Sequence, residues 1–171
     1  KCCKLLNTTD LIKPRCKNCG STPIEKDTKH LYIDLPKIEP RLRGWMDKVS
    51  NTWTENAKTT AYGWLKEGIK PRAITRDLKW GIPVPRKGYE KKVFYCWFDA
   101  PIGYVSIAKK ILNENYLKWW KKPEETKLVQ FMGKDNIVFH TILFPSFLIG
   151  TNDNYTVVDK LSVNEFLNYQ N

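Results

Sequence analysis

The chain has 171 residues and a formal net charge of +11, with 29 Lys and Arg residues against 18 Asp and Glu residues. This length suits one large domain, or one domain with a small appendage, and an apolar content of 42% is enough to build a hydrophobic core. The sequence has no run of about 18 apolar residues, which argues against a membrane-spanning helix. The positive charge suits either a polyanionic partner such as RNA or a lysine-rich surface that contacts only solvent.

Hydrophobic periodicity and the positions of Pro and Gly predict the elements of the first half of the chain. They are a strand over residues 31–36 that a Pro closes, a helix over 40–49, a helix from the N-cap Thr54 through Lys66 with Gly68 as its stop, and an irregular connector over 71–85.

From residue 93 onward strands and helices alternate, which is the pattern of a doubly wound α/β fold with a parallel sheet. A near-continuous apolar run predicts a buried parallel strand over 93–98, with Cys96 packed in the core as an apolar side chain. The elements that follow are helices over 102–112 and 116–121, a strand over 128–132, a helix over 136–148 that Pro145 kinks, and one or two strands within 155–158 and 161–167.

Five cysteines are present, and four of them lie within the first 19 residues. Cys16 and Cys19 are separated by two residues, a spacing that places two thiolates on one tight turn and is typical of half a zinc site. A tetrahedral site needs two further ligands, and we expect Cys2 to be one of them, as half of a second pair that begins before residue 1. The pattern predicts a small zinc module over residues 1–30 in a reducing compartment, and thiols without a metal are the alternative.

The junction between the strand and helix predicted after residue 93 carries Trp97, Ala100, Pro101 and Tyr104. Ligands bind at the carboxyl ends of strands in α/β folds, and a turn of small residues lets a ligand approach the backbone. These four residues therefore form a candidate wall of an apolar pocket. The alternative is a group of core aromatic side chains at a tight turn, which is what such a pattern more often means.

A second candidate site is the Gly-Lys-Asp-Asn segment at residues 133–136, where a predicted strand ends and a helix begins. Asp135 could hold an ammonium group, a ribose hydroxyl or Mg²⁺, or it could simply cap the helix. The segment is not a nucleotide-binding P-loop, because a Leu stands at position 128, where that motif requires Gly.

Two further polar residues are candidates with a structural alternative. His140 lies on an apolar helix face, where a lone His is usually a buried structural residue. No Ser or Cys accompanies it in a triad-like arrangement, so nucleophilic hydrolysis has no support. Arg76 suits phosphate binding from an ordered loop, or a surface pairing with a neighbouring acid.

Six pieces of the sequence, in the same order and at similar spacing, resemble motifs of the methionyl-tRNA synthetase family, and the match is closest to its archaeal and eukaryotic cytosolic type. They are residues 16–19, 30–36, 74–77, 97–104, 131–140 and 165–169. The family belongs to the class I aminoacyl-tRNA synthetases, which activate their amino acid with ATP and transfer it to tRNA. The resemblance implies methionine, ATP with Mg²⁺ and the methionine tRNA as partners, a structural Zn²⁺ ion and a cytoplasmic location. It leaves the oligomeric state open.

The resemblance also implies roles for particular residues. The methionine pocket would be formed by Trp97, Ala100, Pro101, Tyr104, Asn136, Phe139 and His140. In that pocket Tyr104 and His140 would be the polar edge that senses the thioether sulfur. The catalytic residues would be Arg76, which supports the phosphate-rich transition state, and Asp135, near the substrate ammonium and ribose. ATP would be bound by Gly133, Asp135, Glu165, Phe166 and Leu167, and zinc by Cys2, Cys16 and Cys19.

The chain departs from the family in lacking both class I signatures, His-Ile-Gly-His and Lys-Met-Ser-Lys-Ser. We therefore expect a central piece of such an enzyme that is inactive alone. Residues 1–30 would be part of a zinc-bearing connective peptide, 31–92 its end and the return segment, and 93–171 the second half of the nucleotide-binding catalytic domain. The alternatives are a related synthetase for leucine, isoleucine or valine, and a non-catalytic zinc-stapled module that binds RNA or assembles with other proteins.

Overall fold

The computed structural model describes residues 12–167 of the chain. These residues form two compact units, one made of residues 12–33 and 73–96 and the other of residues 34–72 and 97–167. The strands are β1 (Tyr32–Ile33), β2 (Arg72–Ala73), β3 (Thr75–Arg76), β4 (Val93–Phe94), β5 (Leu128–Gly133) and β6 (Val158–Asn164). The α-helices are α1 (Leu35–Val49), α2 (Glu55–Glu67), α3 (Cys96–Asp99), α4 (Ile102–Leu112), α5 (Leu117–Trp120) and α6 (Phe144–Gly150). Short 3₁₀ turns cover Ser50–Thr52, Asn113–Tyr116 and Lys134–Asn136, and a π-helical turn covers Phe139–Leu143.

The first unit is built around a short antiparallel ladder. β3 pairs with β4, with Arg76 opposite Val93, and Pro83 bridges Val93 on its other side. Gly81 lies against the same residue with a φ of +148°, and a Cβ atom at Gly81 would come within 2.8 Å of the Val93 Cβ. Only glycine allows the chain to approach β4 this closely.

The predicted parallel strand over residues 93–98 is wrong. β4 ends at Phe94 and pairs antiparallel with β3, and the residues that follow form α3. Backbone N–H groups of Phe94 and Tyr95 donate to the carbonyls of Ile82 and Ile74, so the connector supplies the pairing. A short apolar run is compatible with a buried strand or a short helix, and periodicity does not separate the two. Cys96 is correspondingly exposed rather than packed in the core.

In the second unit, α1 begins five residues before the predicted start at Pro40. The side chain of Asp34 accepts a hydrogen bond from the backbone N–H of Lys37 at 3.3 Å, which caps the helix at its N-terminus. Pro36 then lies in the first helical turn, where a missing N–H group costs nothing. The predicted strand over 31–36 shrinks to the two residues of β1 for this reason. The predicted helix after Thr54 is confirmed as α2.

A parallel pair of strands forms the sheet of the second unit. β5 and β6 run side by side from Leu128 opposite Val158 to Gly133 opposite Asn164, with one register shift after Leu128. β6 replaces the one or two final strands that the sequence predicts. Because the strands are parallel, the segments that follow Gly133 and Asn164 leave the sheet at the same edge, where α/β folds place their ligands. The α/β fold with a parallel sheet is thus confirmed.

The chain after β5 changes helical type where the sequence predicts one continuous helix. The 3₁₀ turn at its start is followed by the π-helical turn, which contains His140, and then by α6. Pro145 lies in the first turn of α6. Proline has no N–H group and cannot donate a backbone hydrogen bond to the preceding turn. The π-helical turn before it, which is wider than an α-helical turn, accommodates the missing bond. In place of the predicted kink, the helix changes from π-helical to α-helical turns just before Pro145.

The core of the second unit packs the helices against the sheet. Its most buried apolar residues include Leu42 and Met46 of α1, Ala57 and Ala61 of α2, and Leu161 of β6. A second cluster joins α4, α5 and α6 and consists of Val105, Trp120, Phe144 and Leu148. Within residues 12–167, no helix combines the length and apolar character that a membrane crossing requires.

Candidate active site

Tyr104 and His140 form a hydrogen-bonded pair in the second unit. Tyr104 stands in the first turn of α4 and His140 in the π turn after β5, 36 residues later, and the Tyr104 hydroxyl lies 3.0 Å from His140 Nε2. The Tyr104 ring also lies 5.6 Å from the ring of Phe144, measured between centroids. The start of α4 and the π-helical turn after β5 are thereby joined by one direct contact.

The partners of His140 determine its protonation. Its Nδ1 lies 2.9 Å from the carbonyl oxygen of Asn136, and a carbonyl only accepts, so Nδ1 carries the proton. Burial lowers the pKa of His140 because it disfavours the charged ring, while the Asn136 carbonyl acts in the opposite direction. In the neutral ring Nε2 is an acceptor, and the Tyr104 hydroxyl donates to it.

A second aromatic contact involves Phe139, the residue before His140 in the sequence. The Trp97 ring meets the Phe139 ring edge to face with their centroids 4.6 Å apart, and half of the Trp97 surface remains open to solvent. Ala100 and Pro101 form the turn between α3 and α4, and their carbonyls accept the backbone N–H groups of Gly103 and Tyr104. Asn136 contributes through its backbone carbonyl to His140.

The residues predicted to bind ATP gather at the shared carboxyl edge of β5 and β6. Lys134 follows β5, Glu165 follows β6, and their charged groups lie 2.6 Å apart. Asn56, in the first turn of α2, donates to the second oxygen of Glu165 at 2.8 Å. Lys134 and Asn56 both lower the pKa of Glu165, Lys134 more strongly. Lys134 also lies 4.5 Å from the ring centroid of Phe166, and Leu167 is fully exposed.

Asp135 stands on the same edge, beside the glycine that ends β5. A Cβ atom at Gly133 would lie 2.9 Å from Asp135 Oδ1, so the absence of a side chain at Gly133 makes room for that carboxylate. The Asn136 side-chain amide donates to the same oxygen at 3.5 Å. An exposed carboxylate with this one hydrogen bond among residues 12–167 can take up a cationic or hydroxyl group of a ligand.

The other predicted catalytic residue, Arg76, belongs to the first unit. Its guanidinium donates to the backbone carbonyls of Ala73 and Thr75 at 2.9 and 2.7 Å and lies 3.8 Å from the centroid of the Tyr95 ring. These contacts fix the orientation of Arg76 within its own unit.

The predicted zinc residues fall partly outside the described part of the chain. Cys2 lies there, while Cys16 and Cys19 occupy one tight turn in which the Gly20 N–H donates to the Cys16 carbonyl at 2.8 Å. Cys19 Sγ lies 3.3 Å from the Ser21 hydroxyl. Among residues 12–167 no group of three or more His, Cys, Asp or Glu side chains is placed to hold a metal ion. The two cysteines are separated by two residues, as in half a zinc site, and the zinc site stays a prediction.

Sequence reasoning missed two residues of the strand edge, Asn56 and Lys134. Lys134 lies within the Gly-Lys-Asp-Asn segment, and its place directly after a strand could have suggested a charged partner on the neighbouring strand. Asn56 has no such signal, because it is more than 100 residues from Glu165.

Comparison with known proteins identifies the family. The family model described as tRNA synthetases class I (M) matches residues 1–171, the whole chain. The chain belongs to the class I (M) tRNA synthetases. Its relatives include bacterial and eukaryotic proteins, each named methionine--tRNA ligase. A relative from Borreliella afzelii is 57% identical over 99% of the chain and 24% of its own length. Relatives from Dictyostelium discoideum and Xenopus laevis, both named as cytoplasmic, are 54% and 51% identical, again over 99% of the chain.

The synthetase chain also resembles solved structures. A Mycobacterium tuberculosis methionyl-tRNA synthetase bound by methionyl-adenylate matches 90% of the chain with a TM-score of 0.69 and 20% identity. This likeness shows the fold. The chain spans 29% of that structure and 19 to 24% of the length of these three curated relatives.

Proposed function

We propose that this chain is part of a methionine–tRNA ligase and supplies most of its methionine pocket. The observation that carries the proposal is the hydrogen-bonded pair of Tyr104 and His140 next to the aromatic pair of Trp97 and Phe139. The names of the relatives at 51 to 57% identity support it.

The chemistry of these side chains suits a thioether. The methionine side chain is unbranched and apolar, and its sulfur is polarizable, accepts hydrogen bonds weakly and makes favourable contacts with aromatic rings. The open part of the Trp97 ring offers an aromatic surface, and the hydrogen-bonded pair of Tyr104 and His140 offers polar atoms. A pocket for leucine, isoleucine or valine has no use for such a polar edge. These features favour methionine over the branched amino acids.

The proposed reaction needs positioning and charge rather than a covalent nucleophile. The methionine carboxylate attacks the α-phosphate of ATP in line, and pyrophosphate leaves. In this proposal Asp135 holds the substrate ammonium or ribose, Gly133 and residues 165–167 border the nucleotide, and Arg76 stabilises phosphate charge. Mg²⁺ bound with ATP would neutralise the phosphates.

A structural Zn²⁺ ion also belongs to the proposal. The turn at Cys16 and Cys19 fits two thiolate ligands, and Cys2 with one further thiolate would complete a tetrahedral set. We place the activity in the cytoplasm, as the names of the Dictyostelium and Xenopus relatives suggest.

Methionine titration tests the pocket. We expect methionine to change the tryptophan fluorescence of the chain, and isoleucine to do so far more weakly. Tyr104→Phe should weaken methionine binding about two- to tenfold, because it removes the hydrogen bond that holds the Tyr104 ring to His140. Tyr32→Phe, at an exposed position in the first unit, is the matched control and should leave the affinity unchanged. Equal responses to methionine and isoleucine would overturn the assignment.

A second measurement concerns catalysis by the 171 residues alone. Since neither class I signature is present in the sequence, we expect no methionine-dependent ATP–pyrophosphate exchange from this polypeptide. Exchange above the rate of a Tyr104→Ala/His140→Ala double variant would show that these residues suffice for adenylate formation.

A further inference from the structure

Arg76 carries a half-buried positive charge, and the acid that follows it in the sequence is already matched with another cation. Asp77 accepts from Lys92 Nζ on one carboxylate oxygen and from the Thr28 hydroxyl on the other, both at 2.6 Å. The hydrogen bond from Lys92 is the largest of the effects that lower the pKa of the Asp77 carboxyl. Within residues 12–167, no ion pair includes Arg76. Among these residues Arg76 therefore lacks the surface pairing with a neighbouring acid that its sequence context allows.

The backbone on both sides of Arg76 is held by side-chain contacts. Thr75 is fully buried, and its hydroxyl accepts from the backbone N–H of Leu31 at 3.1 Å and lies 2.9 Å from His30 Nδ1. On the other side, Asp77 is held through both of its carboxylate oxygens. These contacts fix the start of the Arg76 side chain, so the direction of its guanidinium depends on what lies along that side chain.

Tyr95 lies along the Arg76 side chain. Its backbone N–H donates to the Ile74 carbonyl at 2.9 Å, which extends the ladder of β3 and β4 by one residue pair. Arg76 stands opposite Val93, so Tyr95 is its diagonal neighbour, a position that aromatic and long side chains can reach across a ladder. The guanidinium carbon of Arg76 lies 3.8 Å from the centroid of the Tyr95 ring. At this distance the negative face of the ring attracts the guanidinium and holds it in place.

The hydrogen bonds of Arg76 leave one edge of its guanidinium open. Both of them run from Nη1 to backbone carbonyls, those of Ala73 and Thr75, at 2.9 and 2.7 Å. Within residues 12–167, no hydrogen bond of Arg76 uses Nε or Nη2. These two nitrogens carry parallel N–H groups, which form the fork that binds two oxygens of one phosphate. The Tyr95 ring and the two carbonyls therefore hold the guanidinium in an orientation that leaves this fork for a ligand.

We propose that Tyr95 is a positioning residue, which holds the Arg76 guanidinium in the orientation that stabilises phosphate charge during adenylate formation. The inference rests on the proposed function, since it concerns the reaction step that is assigned there to Arg76. Tyr95 itself contacts neither methionine nor phosphate and acts through Arg76. A pre-oriented arginine loses little side-chain freedom when negative charge develops on the phosphate, and fixed charges of this kind lower a reaction barrier.

Methionine-dependent ATP–pyrophosphate exchange by the complete ligase to which we assign this chain tests the role of Tyr95. The variants are Tyr95→Leu, which removes the ring, Tyr95→Phe, which keeps it, and Tyr32→Leu, the matched control at an exposed tyrosine of the same unit. We expect Tyr95→Leu to lower kcat about tenfold and Tyr95→Phe to lower it less than about twofold, because the ring face rather than the hydroxyl holds Arg76. The control should leave kcat unchanged. The KM for methionine should stay within about twofold in every variant, because the lost interaction acts in the transition state and not in methionine binding.

A double variant separates the positioning of Arg76 from general damage to the unit. Arg76→Lys keeps the charge but removes the planar fork that stacks on the ring. Tyr95→Leu should lower kcat less than about twofold in the Arg76→Lys background, since residues that act as one unit give strongly non-additive losses. An equal loss in both backgrounds would overturn the proposal, as would a Tyr95→Leu enzyme with the kcat of Tyr32→Leu.

Nuclear magnetic resonance of the 171-residue chain checks the geometry without relying on activity. The Arg76 Nε–H signal, assigned by its loss in Arg76→Lys, should lie upfield of that of the exposed Arg15, because the ring current of Tyr95 shields it. Tyr95→Phe should retain this shift and Tyr95→Leu should abolish it. An Arg76 signal at the position of Arg15 in the unmodified chain would overturn the proposal, even where Tyr95→Leu fails to fold.

The role of Tyr95 and the proposed function fail in different ways. A complete enzyme without methionine-dependent exchange would overturn the proposed function, and with it the reaction that Tyr95 serves. An enzyme that exchanges with methionine but has equal kcat values for Tyr95→Leu and Tyr32→Leu would overturn the role of Tyr95 alone.

Discussion

The hydrogen bonds of His140 determine which of its ring nitrogens donates and which accepts. The Asn136 carbonyl holds a proton on His140 Nδ1, so Nε2 accepts the Tyr104 proton. A protonated ring would have to turn an N–H group toward the Tyr104 hydroxyl and would force that hydroxyl to donate elsewhere. The pair of Tyr104 and His140 is therefore organised around a neutral imidazole ring.

This arrangement predicts a pH dependence of stability. Burial lowers the pKa of His140 in the folded state, whereas the unfolded residue titrates near about 6.5. When the pH falls below about 6.5, the unfolded state takes up a proton before the folded state does. The stabilisation is therefore complete above about pH 6.5 and is lost as the pH falls toward the lower pKa of His140 in the folded state. Urea unfolding at pH 7 and pH 5 should show a smaller drop for His140→Gln than for the unmodified chain.

The second histidine provides the control for this measurement. The pKa of His30 is also lowered, by burial and then by Lys92, so His30→Gln should remove its own share of the drop and leave that of His140. If His140→Gln lost as much stability between the two pH values as the unmodified protein, the buried neutral ring would not be the cause.

At the scale of elements, the sequence predicts best where signals within one segment decide the outcome. The helix after Thr54 and its stop at Gly68 are found as predicted, because a start signal, an apolar face and a stop signal agree. The strand over 93–98 fails because its antiparallel pairing with Thr75 and Arg76 is a tertiary choice that an apolar run does not encode. The position of the helix after β5 is predicted, but its change of helical type is not. The sequence does not show how the backbone will adjust to Pro145, because that depends on the elements packed around it.

The same difference between local signals and tertiary contacts holds for the candidate site residues. The sequence marks Tyr104 and His140 separately, and the resemblance to a family places them in one pocket. Their hydrogen bond crosses 36 residues and required the structure. The ion pair of Lys134 and Glu165 arises because two parallel strands end side by side, and such adjacency is a property of the sheet rather than of either segment.

Substitution by alanine should have opposite effects on stability at two glycines, one directly after α2 and one inside it. Gly68 ends the helix at a φ of +83°, which an alanine adopts only with strain, so Gly68→Ala should lower the free energy of unfolding by about 1 kcal/mol. Gly63 lies within the helix, and a Cβ there would meet no atom within 4 Å. Gly63→Ala should raise the free energy of unfolding by up to about 1 kcal/mol. Urea denaturation of the two variants checks both signs, and a shared sign would contradict the assigned end of α2.

At the scale of the whole molecule, the two units divide the proposed work. The second unit holds the parallel sheet and the proposed methionine and nucleotide residues on elements packed into a hydrophobic core. The first unit has a small core that includes Val84, Tyr89 and Val93, and its described residues carry 11 Lys and Arg against 4 Asp and Glu, a net charge of +7. A unit with a small hydrophobic core, whose positive charges repel one another, gains more stability from a bound metal ion than a unit with a large core does.

Removal of the proposed zinc ion should therefore loosen the first unit and leave the second intact. Chelation by a strong zinc ligand, or the variant Cys16→Ser/Cys19→Ser, should lower the hydrogen-exchange protection of the Gly20 amide and of the ladder between β3 and β4, because thiolate ligation closes the turn that orders this part of the chain. Amides between β5 and β6 should keep their protection. Cys96→Ser is the matched control, since that exposed cysteine lies outside the turn, and it should leave both zinc content and exchange unchanged. A chain that holds no zinc after metal reconstitution, or that loses protection equally in both units, would contradict a structural metal confined to the first unit.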